Sequence, residues 1–130
     1  MEQAIFTQQV ALPVISEYFD YSYLDMERMS YAIQVLRIDM LQFCQAIVFA
    51  NRVEPVLRGK ISDIFVGCFL LVNKLSDDAI PNRCISMALT VPCVDLIQME
   101  LQCLDAISSL RICACEVQSL FDLVNTEQLI

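Results

Sequence analysis

Histidine is absent from the 130 residues, as is tryptophan, and there are only two glycines and four prolines. Without imidazole, Ser-His and Cys-His nucleophilic machinery and every histidine-bearing metal site are excluded. So little Gly/Pro punctuation, in a chain that is 57% apolar, excludes a disordered tail and a turn-rich all-β fold. Basic residues are also scarce. Eight Lys and Arg face sixteen Asp and Glu, for a net charge of −8. Phosphate backbones and anionic lipid heads repel such a surface, so neither nucleic acid nor a membrane is expected as a partner. The longest apolar run, Ile64 to Val72, is nine residues, about half a membrane span, which predicts a soluble chain.

What is present points to one domain, long enough to bury roughly two thirds of its unfolded surface without metals or cross-links. The first residues, Met1-Glu2-Gln3-Ala4, carry no basic region followed by an apolar one, which predicts a reducing compartment, cytoplasm and/or nucleus. Seven cysteines then read as reduced packing residues. They stand at 44, 68, 84, 93, 103, 113 and 115, with no C-x-x-C among them. Cys113 and Cys115 reach a metal or each other as C-x-C, but two thiolates without further clustered ligands make no zinc site. No metal and no cofactor is expected.

Apolar residues recur at helical spacing almost throughout, and no useful segment alternates with period two. Residues 1–20 read as a helical lead-in interrupted by Pro13. Ser22, with Asp25 three positions on, marks a helix start. The pattern then runs from Leu24 to about Arg52, bending near Arg37 to Met40, and Asn51-Arg52-Val53-Glu54-Pro55 is expected to end it. Gly59 and Ser62 open a helix reaching Leu75. A loop from Ser76 to Asn82, a short helix 83–89, a helix from Thr90-Val91-Pro92 to about Ile107, a link 108–113 and a last helix 115–125 complete the reading. The fold class is therefore all-α, five or six helices in one bundle. The 61–75 helix is apolar around nearly its whole axis, so it is expected at the centre. Asp63, Gly67 and Lys74 line its narrow polar face, where the glycine admits a neighbouring backbone.

Three sets of charged residues stand out. On the helical wheel of 92–107, Glu100 falls within the apolar stripe of Leu96, Met99, Cys103, Leu104 and Ile107. A carboxylate there is paired, sits at the mouth of a groove or is covered by a partner; otherwise the apolar surface is wider and Glu100 caps its edge. Lys74 favours the C-terminal dipole of its helix, or shares a groove with Glu100 and binds backbone groups of a partner. Asp77 and Asp78 are a solvated turn that caps the next helix, or a carboxylate pair for acid/base work. No nucleophile or phosphate-binding loop accompanies them, so the chain is not expected to be an enzyme. Arg52, Arg58 and Lys60 read as a small basic loop around Glu54.

The stretch 66–104 contains G-C-F-L-L-V-N-K-L-S-D-D-A-I-P-N-R, then L-T-V-P-C-V-D-L-I-Q-M-E-L-Q-C-L. It resembles the second half of a cyclin box: an apolar helix ending in Lys, an acidic turn with Asn, then a helix carrying Glu. Upstream, Ile47-Val48-Phe49-Ala50-Asn51-Arg52 looks like the family's helix ending in an aromatic, two residues and Arg. The K-x-x-D-D-x-x-x-N form is most similar to the short, single-box P/U cyclins of phosphate signalling. The resemblance implies a five-helix box around a central third helix. It divides the chain into a helical N-terminal extension 1–38, a cyclin-box-like domain 39–126 and a tail 127–130. It further implies a non-catalytic, cell-cycle-type regulatory subunit that binds and activates a cyclin-dependent kinase through Lys74 and Glu100, with Asp77 and Asp78 nearby. The opening Met-Arg-Ala-Ile-Leu and tryptophan pattern is missing, which leaves a substrate-docking patch unsupported. The alternative is a cyclin-shaped scaffold or self-associating module with no kinase, forming a homodimer when unpartnered.

Overall fold

The computed structural model describes the backbone of residues 3–107 and 110–129, and the side chains of 5–107 and 110–123. Met1-Glu2, Ser108-Ser109 of the expected link and Ile130 of the expected tail lie outside the described residues. The chain is all-helical, with no strand among the described residues. Helix α1 comprises Gln3–Phe6, a π-helical turn Thr7–Ala11 and Leu12–Tyr18; α2 is Tyr23–Val35, α3 Met40–Leu57, α4 Ile61–Lys74, α5 Asn82–Leu89, α6 Cys93–Ala106 and α7 Ala114–Leu129. No single helix among the described residues is long and apolar enough to cross a membrane.

Local chemistry explains most of the boundaries. Pro13 does not break α1. The wide π turn lies directly before it, with Leu12 N–H donating to Thr7 O, five residues back. Opening the turn relieves the crowding that a proline ring meets in a tight helix. Ser22 caps α2 in a full capping box: its Oγ accepts from Asp25 N–H, and Asp25 Oδ2 accepts from Ser22 N–H at 3.2 Å. The bend expected near Arg37 is a complete break. Arg37 adopts a left-handed φ of 50°, Arg37 N–H donates to Gln34 O and Ile38 N–H to Ile33 O. That pairing is a Schellman stop, and both Ile33 and Ile38 are buried in the core. Asp39 and Gln42 then form a second capping box that starts α3.

Proline 55 does not end α3 where expected. It sits in the last turn, so only one hydrogen bond is lost, and the helix runs on to Leu57 before Arg58 turns left-handed. Helix α4 opens between Gly59 and Ser62, as expected, with Lys60 at the N-cap and no side-chain bond there. Ser62 is buried and donates to Asp25 Oδ1 at 2.7 Å, tying α4 to α2. Helix α7 begins at Ala114 and continues to Leu129, past the expected end at 125.

Eleven of the fourteen residues of α4 are buried, so it is the central helix, packed by α2, α3 and α6. Gly67 permits the closest of these approaches. A Cβ there would lie 2.5 Å from Cys103 Sγ and 2.8 Å from the Met99 carbonyl oxygen, both on α6. Helix α1 belongs to the same core: Val10, Ala11, Val14 and Ile15 are fully enclosed, and the Phe6 ring meets Phe43 edge-on at 5.7 Å. Phe43 in turn lies 6.2 Å from Phe65 of α4, so aromatic contact runs from the first helix to the centre.

The cysteines divide. Cys44, Cys68 and Cys103 are buried as expected of packing residues, whereas Cys84, Cys93, Cys113 and Cys115 are exposed. The exposed four stand near helix starts: Cys84 is third in α5, Cys93 first in α6, and Cys113 and Cys115 flank the first residue of α7. Burial, with Asp39 adding to it, pushes the Cys44 thiol up to about 11. Cys68 is held well above the ordinary thiol range by its hydrogen bond to Cys103 and by burial, and the same bond draws Cys103 down. The directions fit a relay in which Cys68 donates to Cys103 while Cys103 donates to Ile64 O at 3.7 Å.

Candidate partner-binding site

Lys74 occupies the last turn of α4, where a cation complements the carbonyl end of the helix. The residue before it, Asn73, sets the path of the chain beyond the helix. Asn73 is buried, its Nδ2 donates to Ile80 O and its Oδ1 accepts from Ile80 N–H, each at 2.8 Å. This double clasp closes the 75–81 loop and fixes the exit direction from α4. Sequence reasoning misses Asn73, because an amide beside a lysine carries no signal until the loop it closes is known.

Glu100 projects from α6 toward that end of α4 and is only 7% exposed. Its Oε2 accepts from Lys74 Nζ at 2.5 Å, an ion pair whose lysine side is half open to solvent. Its Oε1 is buried with no hydrogen-bond partner among the described residues. Of the readings open for Glu100, pairing is therefore the observed one, and it is incomplete. A carboxylate oxygen out of water without a donor is costly.

The neighbouring surface is apolar. Leu96 and Cys103 of α6 are buried and Met99 and Ile107 half-buried, but Leu104 is 38% exposed and does not belong to the inward stripe expected of it. It lies instead with Val94, Ile97 and Leu101, all exposed. Spacings of three, four and three place these four on one outer face. At 100° per residue, Glu100 falls between that face and the buried one. Leu75, exposed at the C-cap of α4, adds apolar surface beside Lys74.

Asp77 and Asp78 are exposed and are not brought into contact with the Lys74–Glu100 pair. They do not cap α5 either. Its N-cap is Pro81, with no side-chain bond, because the loop places both aspartates too early. Asp77 lines a separate cleft of about 280 Å³ with Leu41, Gln45, Phe49 and Leu75. Arg52 leaves the basic loop expected around Glu54; it reaches across to α7 and donates to Glu116 at 2.7 and 3.0 Å. Glu116 also accepts from Cys113 N–H, and that bond, then Arg52, holds its carboxyl below the usual range against the opposing effect of burial. No group of ligating side chains suited to a metal ion occurs among the described residues. No family model, curated protein or solved structure matches the chain.

Proposed function

We propose that the chain is a cyclin-box protein, a non-catalytic regulatory subunit that binds a cyclin-dependent protein kinase in the cytoplasm and/or nucleus. The observation that carries this reading is the unsatisfied Oε1 of Glu100, buried beside Lys74 at the edge of an exposed apolar face. A partner that lays apolar side chains on Val94, Ile97, Leu101 and Leu104, and presents an N–H to Glu100 as its carboxylate turns outward, satisfies both at once. The resemblance of the 66–104 sequence supplies the identity of that partner, since Lys74 and Glu100 correspond to the family's kinase-contacting pair. Counted from Tyr23, the helices α2 to α6 make a box of five with the central helix α4 third, which is the order the family uses. On this count the box begins earlier than residue 39.

The mechanism is population shift. The bundle binds the active arrangement of the kinase regulatory helix better than the inactive one, and that difference in affinity sets the size of activation. The test is affinity capture from the source cell with the wild-type chain and with Lys74→Glu/Glu100→Lys. The double reversal keeps an internal ion pair, so far-UV helicity is retained, but it presents the opposite charges to a partner. A protein kinase recovered by the wild type and lost with the variant is the expected result. Equal recovery by both overturns the site. Absence of any kinase, with light scattering showing a dimer through this face, favours the scaffold alternative.

A further inference from the structure

On another side of the bundle, α2, the first half of α4 and the 89–99 stretch enclose a cleft of about 360 Å³. That volume suits a small molecule. Its floor is apolar: Ala32, Val66, Leu89, Val91 and Met99. Three charged side chains from three different helices surround it, namely Arg28 on α2, Asp63 on α4 and Asp95 on α6. None of the three is ion-paired with any described residue. Asp63 and Asp95 each stand in the first turn of a helix, where a carboxylate is favoured, yet neither makes a capping hydrogen bond, so their oxygens are available.

The walls are held in place. Tyr31 Oη donates to Ala88 O at 3.0 Å, joining α2 to α5. Ser86 Oγ donates to Val91 O at 2.5 Å, and Val91 N–H returns to Ser86 O at 3.2 Å. Between them Thr90 is fixed at φ 55°, ψ 39°, a conformation rare for a β-branched residue. The rim is therefore shaped before any ligand arrives, which lowers the ordering cost of binding.

We propose that this cleft binds a free basic amino acid. One guanidinium and two carboxylates around an apolar floor are the complement of one carboxylate and two cationic groups joined by a methylene chain. Arg28 takes the ligand carboxylate, for which its planar fork is suited. Asp63 and Asp95 take the α-ammonium and the side-chain cation, and the methylenes lie on Val66 and Met99. This assignment is independent of the kinase reading.

Isothermal titration of the full chain with L-lysine and L-arginine tests it. Three comparison ligands dissect the recognition: cadaverine has no carboxylate, norleucine no side-chain cation, and the N-acetyl amide of lysine keeps the side-chain cation but neither terminal charge. Saturable binding of lysine or arginine is expected, weakened about tenfold or more by Arg28→Gln and by Asp63→Asn/Asp95→Asn. Folding of the variants is checked by far-UV circular dichroism, and the ligand comparison on the wild-type chain stands even where a variant fails to fold. Absence of saturable heat with either amino acid overturns the proposal. So does equal affinity for cadaverine or for the blocked lysine, the latter identifying a peptide side chain as what the cleft reads. Undiminished binding by the folded Arg28→Gln variant overturns the assignment of the carboxylate.

Discussion

Gly67 lies where α6 crosses α4, and its missing side chain sets how near the two helices come. Both atoms that an added Cβ would strike belong to α6, and one is a backbone oxygen that no rotamer change can move. Gly67→Ala therefore has to push the helices apart or bend one of them. Overpacking of this kind costs about 1–3 kcal/mol, against a gain of about 1 kcal/mol in helix propensity from replacing glycine. A net loss is expected, read as a lower midpoint in urea with the slope unchanged. A midpoint equal to or above the wild type would show that the crossing is not tight at this point. Because Lys74 and Glu100 sit on the same two helices, the substitution is also expected to disturb that pair.

At the scale of elements, the start of α2 and the flank of α4 share one carboxylate. Burial of Asp25 works against its ionisation, but hydrogen bonds from Ser62 and Ser22 outweigh this and hold the carboxyl below its ordinary value. A carboxylate whose folded pKa is depressed contributes stability that is present above its unfolded value, about 3.9, and lost as pH falls through the folded one. Ser62→Ala is thus expected to destabilise by about 1.5–3 kcal/mol at neutral pH, as for a hydrogen bond to a charged group. The difference from wild type should shrink as pH falls below about 4 toward the depressed folded value, where Asp25 itself takes up its proton. Denaturant titrations at both pH values check it; a difference that does not change with pH would remove the charge from the argument.

The same element shows what a sequence discloses. The Ser22–Asp25 box is written in four consecutive residues and is legible directly. The bond from Ser62 to Asp25, 37 residues away, is not, and Ser62 reads only as part of a helix start because serine is common there. Glu100 is legible because a helical wheel needs only one helix. Leu104 is misplaced because the wheel does not say how wide a face the neighbouring helices cover. The left-handed stop at Arg37 is hidden by the absence of glycine or asparagine there.

At the scale of the molecule, α1 decides whether the bundle is a box with an appendage or one indivisible core. The family resemblance begins after it, which invites treating residues 1–38 as an extension. The packing argues otherwise. Val10, Ala11, Val14 and Ile15 are sealed from solvent, Phe6 closes over Phe43, and the helix lies against both α2 and α7. Fully burying a Val, Ile or Phe side chain stabilises by roughly 1.5–3 kcal/mol. Three such residues already approach the 5–15 kcal/mol net stability typical of a domain, on the order of the whole margin. Removal of residues 1–20 is accordingly expected to abolish cooperative unfolding while leaving much of the helicity, with strong binding of a hydrophobic dye to the uncovered faces of α3 and α7. The extension view predicts the opposite: a truncated chain that melts in one sharp transition near the wild-type temperature and binds no dye. Helix α1 would then be dispensable, and a partner could replace it on α3. If the truncated chain loses its sharp transition, the folding unit begins at α1, and any fragment meant to bind a kinase has to include it.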